Sequence, residues 1–234
     1  MAKNNNLTDF MTDIADAIRA KKGTTNKINP QDFAAEIASI EGGGTNQRVS
    51  FIRRNGVGYI RTGIAGANDN LSIMIRYAMQ TFPTGYLSII HAYINESTNA
   101  TRILLNKNTT VLGTLNSIAS GSLSISRTGY EGIVYTDKLV PNGTTFKLIA
   151  NGVSSTKSRT SGETLTDEIT IFPETEDTSV MDLYQVTIKD GSEVVRNYIP
   201  HYQNGEFGLY DTITKQFYGN SGNGTFGGEL ITIE

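Results

Sequence analysis

The chain has no cysteine and no tryptophan among its 234 residues, and only two histidines and five prolines. Without cysteine there is neither a disulfide framework nor a thiolate metal site. The two histidines, His91 and His201, stand far apart with no carboxylate at ligand spacing, so no zinc site and no metal residues are expected. Charge of one sign is also lacking: 20 Lys and Arg against 23 Asp and Glu leave a formal −3. No basic field gathers phosphate backbones, and nucleic acid is not an expected partner. No stretch approaches the roughly 20 apolar residues of a membrane span, and membrane insertion is not expected. No apolar run follows Met1–Asn6, so no secretory signal is visible. The expectation is a protein made in a cytoplasm that reaches the outside, if it does, by a route such as cell lysis.

What is plentiful is glycine, 24 residues, set against a low apolar share of 38%. Many short strands joined by Gly, Asn, Ser and Thr turns produce that balance, because each turn needs residues tolerant of positive φ. The closing stretch Met181–Phe226 shows the pattern best. Leu183, Gln185, Thr187 and Lys189 interleave with Tyr184, Val186 and Ile188, the period of a strand with one buried face. Asp190-Gly191 supplies a turn, Glu193–Ile199 a returning strand, and Pro200 is expected at a strand end or edge. Phe207–Tyr210 and Gln216–Tyr218 read as a further hairpin, and Gly219–Gly224 as a loop. Upstream, strands are expected over Leu71–Met79, Tyr86–Ile94, Arg102–Leu105, Thr110–Leu115, Leu123–Arg127, Gly132–Thr136, Thr145–Ala150 and Glu168–Phe172. Strands at such short intervals, with no long helix between them, indicate an antiparallel β-sandwich. Ser154–Thr166, polar throughout, reads as an exposed loop.

The first forty residues are different. Leu7, Phe10, Met11, Ile14 and Ile18 recur at helical spacing, with Asp9 early and Arg19, Lys21 and Lys22 late, which suits the helix dipole. Gly23 is a natural stop. Asn29 then reads as an N-cap, Pro30 as the first helical position, and Phe33, Ile37 and Ile40 as the apolar face of a second helix. The division is residues 1–41 as a helical anchor or oligomerisation module, 42–47 as a glycine-rich linker, and 48–234 as the β domain. Two such helices bury too little to offset the entropy of ordering them. They either pack on the β domain or on each other, or they bind copies of themselves or another component. The glycine link favours the second, with Leu7, Phe10, Met11, Ile14, Ile18, Phe33, Ile37 and Ile40 as the partner-binding residues.

Two sets of phrases resemble known modules. Tyr59-Ile60-Arg61-Thr62-Gly63-Ile64 near the start of the β region, and Val195–Pro200, Gly208–Asp211 and Phe217–Phe226 at its end, resemble a domain of bacteriophage tail and surface proteins. That domain has a concanavalin-like, or laminin-G-like, jelly-roll fold. Leu7–Gly23 with Ile28–Ile37 looks like a module that precedes varied C-terminal domains in phage tail proteins. The resemblance implies a mainly β jelly-roll sandwich preceded by two short α-helices. It also implies a virion protein, displayed on the particle as a homotrimer, attached to other virion proteins through its helices, and contacting host cell-surface polysaccharide. A tail fibre or receptor-binding protein is the leading expectation. A capsid head fibre or decoration protein without a specific receptor is the first alternative, and a polysaccharide-degrading enzyme the second.

The residues offer little for catalysis, and the expectation is a noncatalytic protein with no catalytic residues. Some concanavalin-like folds are glycoside hydrolases with paired carboxylates on one strand face. Here the acidic cluster Glu174-Thr175-Glu176-Asp177 follows Pro173 with no flanking aromatic, which reads as a solvated turn. No Gly-x-Ser-x-Gly phrase supports a serine triad. No cofactor is expected. Asn68-Asp69-Asn70 and Asn204-Gly205-Glu206 have oxygens of the kind laminin-G-like loops offer to calcium, and Asx-rich turns explain them equally well. Tyrosine is the commonest aromatic, 11 copies. Tyr77, Tyr86, Tyr93, Tyr130, Tyr135 and Tyr202 are candidate sugar-stacking rings, set against the plainer reading of core tyrosines.

Overall fold

The computed structural model describes residues 7–22, 25–38, 47–65, 70–81, 86–93, 100–106, 110–114, 123–126, 132–158, 168–172 and 180–231. Its first strands are β1 (Gln47–Asn55), β2 (Ile60–Ala65), β3 (Leu71–Met79), β4 (Tyr86–Tyr93), β5 (Ala100–Asn106), β6 (Thr110–Thr114), β7 (Leu123–Ser126) and β8 (Val134–Asn142). There follow β9 (Thr145–Ala150), β10 (Val153–Ser158), β11 (Glu168–Ile171), β12 (Met181–Asp190), β13 (Glu193–Gln203), β14 (Glu206–Asp211), β15 (Gln216–Tyr218) and β16 (Thr225–Leu230). They form two antiparallel sheets. The larger runs β10-β9-β8-β3-β12-β1-β13-β14-β15, with β16 on β1; the smaller runs β2-β11-β4-β5-β6-β7. The protein is a mainly β, jelly-roll sandwich with two short helices in front of it.

One core lies between the sheets. The larger sheet contributes Ile52, Ile73, Ile75, Tyr77, Leu139, Phe146, Leu183, Val186, Ile188 and Tyr198; the smaller gives Ile60, Ile89, Ile90, Ile103, Ile169 and Ile171. In β3 every second residue from Leu71 to Tyr77 is buried, while Ser72, Met74 and Arg76 point outward. That alternation is what a half-buried strand requires, and it fixes the register.

The sheets are also joined by polar groups. On β2, the buried Thr62 hydroxyl donates to the Ile169 carbonyl of β11 in the same sheet at 2.7 Å, while the Thr62 carbonyl accepts across the layers from the Tyr198 hydroxyl at 2.9 Å. Gly63 beside it is left-handed, φ +72°, and its N–H donates to the Glu168 carboxylate. Thus Thr62 makes a joint between layers, and Gly63 ties β2 to β11 within the smaller sheet. Burial carries the Tyr198 phenol far above its ordinary pKa, so it remains a donor.

Three expectations are corrected. Residues 153–158 are not loop: β10 pairs with β9 from Val153 opposite Ala150 to Ser158 opposite Thr145, because polar residues suffice on an edge strand whose faces are largely solvated. Strand β8 runs on through Pro141, opposite Phe146, to Asn142, so the turn falls at 143–144. Pro200 is inside β13, not at its end. It stands between the stretch of β13 paired with β12, up to Tyr198, and the stretch paired with β1, at His201 and Tyr202. A residue with no N–H is tolerated where the strand changes partners.

The N-terminal elements are α1 (Leu7–Lys22), a 3₁₀ turn Pro30–Asp32, and α2 (Phe33–Ala38). Asn29 caps the turn, its side-chain oxygen accepting from the Gln31 N–H, with Pro30 at the first position. Ala15, Ile18 and Ile28 form a small core of their own, with Ile14 and Phe33 packed against it.

Candidate functional site

The closing glycine-rich motif, the most recognisable part of the sequence, does structural work. The Asn220 side-chain oxygen accepts from the N–H groups of Tyr59 and Gly222, and its amide donates to the carbonyls of Gly222 and Gly224. Glu206 accepts from the Asn220 N–H at 2.6 Å. A Cβ at Gly224 would lie 2.5 Å from the Asn55 carbonyl oxygen. This loop is a latch that holds the β1–β2 turn. Asp211, fully buried, accepts from the N–H groups of Asn197, Ile213 and Thr214 and from the Thr214 hydroxyl. Burial raises its pKa, yet these hydrogen bonds outweigh burial and hold it below the usual carboxylate range.

Functional groups gather instead on the outer face of the larger sheet. A bulge in β12 sets them there: Leu183 faces Tyr77 and Gln185 faces Arg76, leaving Tyr184 as the extra residue. Strict alternation would bury Tyr184 with Val186 and Ile188; the bulge turns its ring outward, where it is half-buried. Phe51 of β1 meets it edge-on at 6.2 Å between centroids. The Arg76 guanidinium stands 5.6 Å from the Tyr184 ring centre, and that of Arg53 5.0 Å from the Phe51 ring centre.

Beside the rings Arg53 grips Asp182 with two hydrogen bonds, 2.6 Å from Nε and 2.8 Å from Nη2, and Gln80 Nε2 adds a third at 2.8 Å. The Asp182 side chain is nearly sealed, 3% exposed, under the partly exposed Arg53. The bond to Asp182 raises the Arg53 pKa despite burial. Burial and the Asp182 charge raise the Tyr184 phenol more than Arg76 and Arg53 lower it, so it is protonated at neutral pH. On the other side of Tyr184, the Gln185 amide donates to the Asn197 side-chain oxygen at 2.8 Å, as does the Thr187 hydroxyl at 3.1 Å. Two aromatic rings, two guanidiniums and a row of fixed amides thus share one exposed sheet face. Such a surface offers aromatic rings for stacking, and guanidiniums and amides for hydrogen bonding.

The residues singled out from sequence fall elsewhere. Tyr77 is buried and donates to Asp137 at 2.6 Å; Tyr135 is in the core beside it. Tyr202 packs on Phe207 with centroids 4.8 Å apart. Tyr86 and Tyr93 bound β4, and Tyr130 lies outside the described residues. His201 is buried, its ring 5.1 Å from that of Tyr210, and His91 belongs to β4, opposite Thr170. The acidic run 174–177 and the pair Asn68-Asp69 lie outside the described residues, and Glu206 is engaged in the latch. Among the described residues no cluster of three His, Asp or Glu forms a metal site. Tyr184, Arg53 and Arg76 went unselected because a bulge has no composition signal of its own. The available hint was Leu183 and Val186 as apolar residues three apart in an otherwise alternating strand.

The anchor residues divide. Ile18 is buried inside the helical pair, with Ile14 and Phe33 half-buried against the same cluster, whereas Leu7, Phe10 and Ile37 are exposed. Met11 is half-buried, and Ile40 lies outside the described residues. Leu7, Met11, Ala15, Ile28 and Pro30, with Arg19 and Lys27, line a groove of about 620 Å³.

No family model matches the sequence, and no curated protein matches it. Solved structures do. One is a β-fructofuranosidase of Aspergillus kawachii complexed with glycerol, at 16% identity and TM-score 0.43, covering 68% of this chain and 30% of that one. A second is the family 7 polysaccharide lyase A1-II′, an alginate lyase, at 12% identity and TM-score 0.39, covering 54% of this chain and 64% of that one. A third is the carbohydrate-binding module CBM40 of a Ruminococcus gnavus sialidase bound to α2,3-sialyllactose, at 15% identity and TM-score 0.40, covering 56% and 90%. The chain therefore spans 30% and 64% of the length of the first two. The likeness is one of fold and assigns no activity. The expectation of a noncatalytic protein is not upheld, since several of these similar structures are enzymes by name, among them the β-fructofuranosidase, the alginate lyase and a fructosyltransferase. None of them speaks for a phage origin.

Proposed function

We propose that this chain recognises polysaccharide on the outer face of its larger sheet, centred on Tyr184, and that the N-terminal helices join it to a larger assembly. The observation that carries the reading is the bulge that turns the Tyr184 ring outward between Phe51 and Arg76. Beside that platform, Arg53, Gln80, Gln185 and Asn197 are held by hydrogen bonds, so little side-chain entropy remains to be lost on binding. That assembly is a bacteriophage particle, with the chain as a tail fibre or receptor-binding protein. That part of the proposal is supported by the resemblance of the Leu7–Gly23 and Tyr59–Ile64 phrases.

Cleavage of the bound glycan at the same face is a second reading. The Tyr184 hydroxyl, with Arg76, Arg53 and Asp182 around it, is the group on that face through which its proton transfer would run. One experiment addresses both. The full chain is titrated against a panel of oligosaccharides, and the mixtures are assayed for new sugar ends. Tyr184→Ala is expected to weaken binding about tenfold or more, as the loss of a central aromatic anchor does. Undiminished binding by that variant would overturn the site, and sugar-end release that vanishes in Tyr184→Phe would establish the second reading.

A further inference from the structure

The outer face beyond Tyr184 carries cations and almost no exposed acid. Arg76 of β3, Lys138 of β8, Lys147 of β9 and Lys189 of β12 all occupy outward positions in alternating strands. The register brings them together. Arg76 faces Thr136, two residues from Lys138, and Lys138 faces Ile149, two residues from Lys147. Lys189 faces Ser72 at the other flank, and Met74, opposite both Lys138 and Thr187, lies in the middle. Diagonal neighbours of this kind are about 7–8 Å apart. Among the described residues, none of the four cations has a carboxylate within ion-pair distance. Of the neighbouring carboxylates, Asp182 is already sealed under Arg53, and Asp137, next to Lys138, is buried and accepts from the Tyr77 hydroxyl.

This is segregation of charge, since the whole chain has a formal −3. Four like charges on adjacent strands repel one another, a cost that a surface of mixed sign avoids. An anionic ligand lying across β12, β3, β8 and β9 relieves that repulsion. The stacking platform of Tyr184 and Phe51 adjoins the row, so rings and cations are placed to engage one extended chain. We infer that the glycan taken by this face is anionic, with carboxylate or phosphodiester groups spaced along a sugar chain that Tyr184 anchors by stacking. The inference rests on the glycan-binding reading of the same face.

The test uses the full chain and four probes: a galacturonate hexamer, a sugar-substituted poly(ribitol phosphate), neutral maltohexaose, and single-stranded DNA as a polyanion without exposed pyranose rings. Titration calorimetry at low and high salt gives the affinities. One or both anionic glycans are expected to bind about tenfold more tightly than maltohexaose, and the margin shrinks as salt rises. Which of the two binds distinguishes carboxylate from phosphodiester. Combined Lys138→Gln, Lys147→Gln and Lys189→Gln substitution should erase that margin, at about 0.2–1 kcal/mol, or up to fivefold, per exposed pair. All three side chains are surface groups without ion-pair partners, so the variant is expected to melt as the parent does. Equal affinity for maltohexaose overturns the inference and leaves glycan recognition standing; no binding to any glycan overturns both. DNA bound as tightly as the anionic glycans also overturns it, since the face would then be a general polyanion surface.

Discussion

Single residues decide how this protein responds to acid. His201 is buried on β13 between the Tyr210 ring and the neighbouring strand, with Arg48 of β1 opposite it. Burial holds its pKa below the ordinary imidazole value. A group with a lowered folded pKa contributes stability above its unfolded pKa and loses it as pH falls toward the folded value. The histidine window therefore opens below about pH 6.5. Asp211 follows the same sign at lower pH: hydrogen-bonded to three backbone N–H groups, it stabilises the fold above the usual carboxylate range and ceases to do so as it protonates. The expected outcome is a melting temperature that declines from pH 7 to pH 5, with much of that decline absent in His201→Gln. Whatever the absolute stability of the variant, an unchanged slope over that interval would refute the assignment.

At the scale of elements, the latch and the bulge mark where sequence was and was not legible. The latch depends on close backbone approach, and Gly224→Ala forces a methyl against the Asn55 carbonyl. Denaturant unfolding should show a loss of about 2 kcal/mol, in the range of overpacking in a tight site, whereas Gly143→Ala in an open hairpin should cost only the left-handed strain. Equal small losses at both positions would mean the latch is loose. The glycine run was readable as a loop because turn chemistry is local; that it clamps the β1–β2 turn was not, since Asn55 and Gly224 are far apart in the chain. Strands β3 and β12 were legible from alternating residues, β4 from its apolar run, β9 and β13 as the strands that follow turns, and the Asp190-Gly191 turn from its dipeptide. Strand β10 was hidden because Ser, Thr and Lys on an edge carry no apolar signature. The candidate site was hidden for a related reason. A single extra residue at Tyr184 moves one side chain from core to surface, and Arg53, Arg76 and Asp182, read singly, are ordinary surface charges.

For the whole molecule, what matters is how the helical pair meets its surroundings. Its core of Ala15, Ile18 and Ile28 is small and leaves Leu7, Phe10 and Ile37 exposed. Exposed large apolar groups on so small a unit favour association, and a weak glycan contact gains about 10²–10⁴-fold when several linked copies engage one surface. If the helices assemble the protein, light scattering of the full chain should give an oligomer, with a trimer as the expectation. Phe10→Asp should then give a folded monomer, since that side chain is outside the helical core and its loss leaves Ile18 and Ile28 packed. Residues 46–234 alone should also be monomeric, with a cooperative β-type melt. A truncated chain that stays oligomeric would move the contact to the sandwich, whereas a full chain that is monomeric from the start would make Leu7, Phe10 and Ile37 the docking face for a different protein. In either case, glycan affinity measured on immobilised sugar reports the consequence. It should fall at least a hundredfold between oligomer and monomer if the chains act together, and should not change at all between two monomers.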